Sequence, residues 1–113
     1  MTARTVVSAA AIALSLAFAQ GAAAGGKAEA GKAKAAQVCA ACHGADGAKP
    51  SAPDQPILAG QYYDYLVKAL SDYKSGKRNN AIMKAFATQL SRQDMEDLAA
   101  WFSTQKSSLH FQR

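Results

Sequence analysis

Cys39-Ala40-Ala41-Cys42-His43 decides the reading of this chain. C-x-x-C-H is the spacing at which a c-type haem is attached covalently. On one turn of helix, two thiols three residues apart reach the two vinyl groups on one side of a porphyrin. The adjacent imidazole then swings beneath the ring to bind iron from the proximal side. Cys39 and Cys42 are the only cysteines among the 113 residues, so no other thiol competes for the site. The other chemistries open to such a pair fit less well. A thioredoxin-like dithiol belongs in a βαβ setting, and no alternating or β-branched runs predict one. A zinc site needs further ligands at metal spacing, and the only other histidine, His110, lies in the last four residues. A structural disulfide is the remaining option.

The start of the chain reads as a secretory leader. Arg4 gives a minimal positive region, and Val6 to Ala19 is an almost unbroken apolar run, short and rich in alanine. Residues 1–24 are therefore expected to be a signal peptide, with cleavage after Ala19 or Ala24; an uncleaved anchor is the alternative. Export agrees with the motif, because covalent haem is installed on the far side of the membrane. The rest of the chain is expected to form one small domain over 25–106 and a flexible tail over 107–113. Such a domain has a modest core, and a buried porphyrin would give it apolar surface to fold around.

The whole chain carries a formal charge of +5. This is modest and scattered, which excludes a nucleic-acid arm and favours acidic protein partners. No constellation of acid, base and nucleophile points to an enzyme or to a small-molecule substrate.

Three main helices are expected, with long loops between them. The first runs from about Glu29 to Cys42, built from alanine and lysine, with Gly31, Ala35, Val38 and Cys42 on one narrow face. Gly31 would let another helix approach closely, and Gly44 would end the helix in a left-handed conformation. Ala45 to Gly60 reads as loop, marked by Pro50, Pro53 and Pro56. Loops of this length usually wrap something, and here Pro56 could present its carbonyl to Nδ1 of His43. The second helix, from near Gln61 to Ser75-Gly76, carries Tyr62, Tyr65, Leu66, Ala69, Leu70 and Tyr73 as an apolar stripe expected in the core. Lys68 is set to pair with Asp64 and Asp72. The third begins after Ser91, with Asp94 at its third position. Its stripe is Met95, Leu98, Ala99 and Phe102, widened by Trp101.

An iron held by His43 has a second axial position. Met95 belongs to a regular buried stripe, so core packing is its expected role. Met83 lies in a stretch of little periodicity between Gly76 and Leu90, and its thioether is the expected sixth ligand. A short helical turn over Ala81–Ala87 would instead send it into the core. Histidine–methionine ligation favours ferrous iron and raises the potential, the coordination of an electron carrier.

With these residues in place the chain resembles class I cytochrome c, of the small bacterial periplasmic kind that includes the c4, c5 and c553 types. The motifs in order are Cys39–Gly44, Pro56-Ile57-Leu58-Ala59-Gly60-Gln61 with Tyr62, Tyr65 and Leu66, and Ser75-Gly76-Lys77-Arg78. Met83, Leu90-Ser91 and Asp94 to Phe102 complete the series. The resemblance implies an all-α fold around one haem c bound through Cys39 and Cys42. It also implies His43 and Met83 on iron, the Pro56 carbonyl on His43, and close crossing of the terminal helices, Gly31 and Ala35 against Leu98 and Trp101. The function expected is that of a soluble periplasmic one-electron carrier. It would run between respiratory-type donors and a terminal oxidase or reductase, with transient contact at membrane complexes. Lys49, Lys74, Lys77, Arg78 and Lys84 would steer acidic redox partners. Two alternatives are an electron-entry subunit of a larger dehydrogenase or sulfur-oxidising complex, and a gas-binding or peroxide-reactive haem protein.

Overall fold

The computed structural model describes residues 25–109, so the leader reading and His110 fall outside the described residues. Among the described residues the regular structure is helical: α1 Ala28–Val38, α2 Ala40–His43, α3 Tyr63–Ser75, α4 Ala81–Ala87 and α5 Arg92–Ser103. The core forms where α1 and α3 pack on α5. It contains Ala35, Leu66, Val67, Leu90, Met95, Leu98, Ala99 and Phe102.

The small face of α1 is used as its residues require. Gly31 and Ala35 are buried, and a methyl group on Gly31 would sit 1.9 Å from the Asp97 carbonyl oxygen and 2.9 Å from Cβ of Trp101. The helix axes can approach this closely only because that position lacks a side chain. At its start α1 has no side-chain cap from Lys27. The Lys27 backbone N–H is instead satisfied by Asp97 Oδ1 on α5, at 2.7 Å, and Gln93 Nε2 donates to the same oxygen at 2.8 Å. Asp97 is only 8% exposed. A buried carboxylate is costly unless hydrogen-bonded, and these two donors answer that cost.

The helix expected over Glu29–Cys42 is divided at Cys39. The residue stays in the right-handed region, with φ −115° and ψ −32°. The amides of Cys42 and His43 then both bond the Cys39 carbonyl, at 3.2 and 3.0 Å, tightening the chain into the separate turn α2. Gly44 takes positive φ as expected, but its ψ of 158° leads outward into the loop rather than into a left-handed cap. Gly76, at φ 85° and ψ 2°, is the left-handed residue that closes α3.

The tyrosine stripe of α3 is not the core face. Leu66 and Val67 are buried, with Tyr63 and Leu70 packed beside them, while Tyr62 and Tyr65 are 59% and 48% exposed. The apolar band is wide enough to cover two faces, and periodicity does not say which edge meets α5. Lys68 pairs with Asp72. The capping box of α5 forms as expected, Ser91 Oγ accepting from the Asp94 amide at 3.0 Å and Asp94 Oδ2 from the Ser91 amide at 2.9 Å.

Candidate haem site

The kink at Cys39 sets the three motif side chains. Cys39 marks the junction of α1 and α2, and Cys42 and His43 end the short turn. Both cysteines are half-buried and unpaired, and His43 is 7% exposed. Burial, with Cys42 alongside, pushes the Cys39 thiol up to about 11. A dithiol exchange centre needs an attacking thiol of depressed pKa, so Cys39 is placed for the opposite behaviour. Among the described residues, no cluster of three or more His, Cys, Asp or Glu side chains is placed to hold a metal ion.

His43 is oriented from the loop. Its Nδ1 lies 2.9 Å from the Pro56 carbonyl oxygen, a geometry in which Nδ1–H donates and Nε2 keeps its lone pair. The loop holds Pro56 there through several bonds. The Ser51 amide donates to the Cys42 carbonyl at 2.9 Å, and the Leu58 amide to the Gly47 carbonyl at 2.9 Å. Gln55 Oε1 accepts from the Ser51 amide and hydroxyl and from the Ala52 amide, at 3.1, 2.9 and 3.0 Å. Trp101 Nε1 reaches across from α5 to the Ala45 carbonyl at 3.0 Å.

The two methionines separate by environment. Met95 is 3% exposed in the core, with the Ser71 hydroxyl 3.6 Å from its sulfur. Met83 lies on α4, a helix started by Asn80, whose side chain accepts from the Ile82 and Met83 amides at 3.1 and 3.0 Å. The stretch is therefore helical rather than loop, yet Met83 does not join the core: it is half-buried and absent from the cluster. On the same short helix Ile82 and Phe86 are 67% and 41% exposed. With Tyr62 and Tyr65 they are exposed large apolar side chains on and beside α3 and α4.

The residues fit haem c. The site offers two thiols at vinyl spacing, an imidazole with Nε2 available, a thioether outside the core, and apolar side chains to cover a ring. A groove of about 530 Å³ lies elsewhere, between α3 and α5, lined by Tyr63, Val67, Ser71, Arg92 and Glu96 among others. It holds none of these residues, and its Arg92 and Glu96 already pair with one another at 2.7 Å.

The sequence profile of cytochrome c matches residues 28–106. The chain belongs to the cytochrome c family. It is 55% identical over 86 residues to cytochrome c4 of Pseudomonas aeruginosa, covering 76% of this chain and 42% of that protein. It is 46% identical over 66 residues to a thiosulfate dehydrogenase electron acceptor of Stutzerimonas stutzeri, covering 58% of this chain and 31% of that protein. The crystal structure of reduced recombinant cytochrome c4 from Pseudomonas stutzeri superposes with a TM-score of 0.67 at 46% identity, over 74% of this chain and 48% of that one. The chain thus spans about half or less of the length of these relatives. As in the rest of this cytochrome c family, its cofactor is covalent haem c, with Cys39 and Cys42 in the C-x-x-C-H arrangement. Its fold is the all-α class I cytochrome c fold. Among the described residues no helix is long and apolar enough to cross a membrane.

Several contributors had no signal in the sequence. Asp97 reads as one more acidic residue in the opening turns of α5, and its bond to Lys27 spans 70 positions. Ile82 and Phe86 fall four apart on a seven-residue helix, too short for a period to register. The basic residues near Met83 also differ among themselves. Lys74 Nζ is tied to the Leu90 carbonyl at 2.5 Å, and Arg78 Nη1 to the Tyr65 hydroxyl at 3.1 Å, whereas Lys77 and Lys84 are exposed and outside any ion pair among the described residues.

Proposed function

We propose that this chain is an exported one-electron carrier. Haem c supplies the one-electron couple when bound, and the protein tunes and shields it. In this reading Cys39 and Cys42 would hold the group by thioethers, and His43 and Met83 would bind its iron through nitrogen and sulfur. The observation that carries it is the buried His43 imidazole, aligned by the Pro56 carbonyl at 2.9 Å beside both cysteines. The alignment keeps Nε2 available and prevents the ring from turning away. The Met83 thioether, outside the core cluster, would be the second ligand to the iron and would favour its reduced state. With His43 and Met83 both retained, oxidation and reduction would carry little reorganisation.

The partners are redox proteins with acidic docking faces, among them terminal oxidases or reductases and membrane complexes met transiently. Lys77 and Lys84 beside Met83, and Lys49 in the Pro56 loop, are the exposed charges best placed to steer them. Residues 1–24 serve export to the periplasm. The test is a rapid-mixing measurement of electron exchange between the reduced protein and an oxidised acceptor carrying an acidic face. Rates that fall as salt rises, and fall again in Lys77→Glu, support the reading. Rates indifferent to both would contradict acidic docking.

A second reading is favoured by the relative named as a thiosulfate dehydrogenase electron acceptor. Here the same haem chemistry serves as the electron outlet of a sulfur-oxidising enzyme. Reduction of the protein by a thiosulfate dehydrogenase with thiosulfate, faster than by a quinol-oxidising complex, would select this donor.

A further inference from the structure

The short helix that carries Met83 is held differently at its two ends. At the C-terminal end the attachment is to the body of the domain. Ala87 is fully buried, and Leu90, just beyond the helix, is 4% exposed in the core. Lys74 Nζ donates to the Leu90 carbonyl at 2.5 Å and ties this end to α3. The Thr88 hydroxyl and amide both donate to the Lys84 carbonyl, at 2.6 and 2.9 Å, and close the last turn.

The N-terminal end has no such attachment. Ala81 and Ile82 are exposed, and the first turn carries no acidic residue to answer the helix dipole. What holds this turn is Asn80. Its Oδ1 accepts from the amides of Ile82 and Met83 at 3.1 and 3.0 Å, and its carbonyl accepts from the Lys84 amide at 2.9 Å. One residue therefore satisfies three consecutive amides, Met83's own among them. α4 has seven residues, too few to stay wound in water on helix propensity alone. Met83 stands four positions before Ala87 and so shares its inward face. It keeps that direction only while the first turn is helical.

We infer that Asn80 is the positioning residue for Met83: its cap keeps the first turn of α4 wound, and so sets how firmly the thioether is held at the iron. The inference rests on the reading of Met83 as an iron ligand. With the cap removed, the first turn unwinds more readily and takes Met83 with it, while Ala87, Leu90 and Lys74 keep the rest of the helix in place. An incoming ligand then competes against a less populated bound state.

The test uses the matured protein in its oxidised form. The methionine–iron charge-transfer band reports Met83, and added imidazole competes for its place. Parent, Asn80→Ala, Asn80→Ser and Asp97→Ala are titrated, with denaturant unfolding measured alongside. Asn80→Ala should bind imidazole about fivefold more tightly than the parent, the size of a typical side-chain cap. Asn80→Ser restores an acceptor oxygen and should return close to the parent value. Asp97→Ala loosens the domain between α1 and α5 and should leave imidazole affinity unchanged, which separates positioning from general destabilisation. Parent-like affinity in Asn80→Ala, or an equal rise in Asp97→Ala, would overturn the inference while leaving Met83 as the ligand. A parent without the charge-transfer band would overturn Met83 ligation itself and the inference with it. Should Asn80→Ala fail to mature, Asn80→Val decides by the same criteria, since valine suits the extended backbone there and lacks the acceptor.

Discussion

A methyl group added to Gly31 would sit 1.9 Å from the Asp97 carbonyl oxygen, so α1 and α5 touch backbone to backbone. This contact holds the first turn of α1 against α5. Gly31→Ala cannot be absorbed by a rotamer change, because the obstacle is main chain. The expected cost is about 3 kcal/mol or more, the upper end for overpacking. Denaturant unfolding of the haem-loaded protein measures it, and a loss below about 0.5 kcal/mol would contradict the close crossing.

The second contact between these helices is polar. Asp97→Ala leaves the Lys27 amide without its acceptor and should cost about 1 to 3 kcal/mol. Asp97→Asn keeps an oxygen in place and should cost clearly less. Equal losses in the two variants, by the same unfolding measurement, would show that the charge rather than the hydrogen bond matters.

The α5 cap has a pH signature. The Ser91 backbone N–H, then its hydroxyl and Lys34, hold the Asp94 carboxyl below its ordinary value against a smaller opposing effect of burial. A lowered folded-state pKa contributes stability that is fully present above the unfolded carboxylate range and is lost as pH falls through the folded value. Ser91→Ala should therefore cost about 1 kcal/mol at neutral pH. Asp94→Asn should match the parent only in strong acid, where both carry a neutral side chain. A stability gap between Asp94→Asn and parent that stays constant with pH would refute this account of the cap.

The two methionines should respond oppositely. Met95→Leu conserves volume in the core and should cost under about 1.5 kcal/mol, leaving the haem spectrum unchanged. Met83→Leu should change the iron's spectrum with little loss of folding, since Met83 is outside the core cluster. A spectral change in Met95→Leu instead would reverse the assignment.

Legibility in the sequence tracks distance along the chain. Cys39, Cys42, His43 and the Pro56 carbonyl lie within 18 positions, and the chemistry of each residue type constrains the others, so this part can be read directly. The capping box at Ser91 and the small face at Gly31 are likewise local signals with one main physical meaning. The break at Cys39 cannot be read, because alanine-rich sequence on both sides supports an unbroken helix. α4 is readable only as an alternative, a short helical turn over Ala81–Ala87, because one cap residue and seven positions give no second period. Tyr62 and Tyr65 read as core because an apolar stripe records hydrophobicity and not which neighbour covers it. Asp97 with Lys27, and Arg78 with Tyr65, are pairings that tertiary packing creates, and no spacing rule announces them.

The central claim is most directly tested by visible and near-infrared absorption of the matured protein, oxidised and reduced, with CO added to the reduced form. The account predicts a covalent c-type spectrum, a methionine–iron charge-transfer band that disappears in Met83→Leu, and no response to CO in the parent. A parent protein lacking that band and binding CO rapidly would contradict His43 and Met83 as the axial pair, and would turn the reading toward a gas-binding or peroxide-reactive haem.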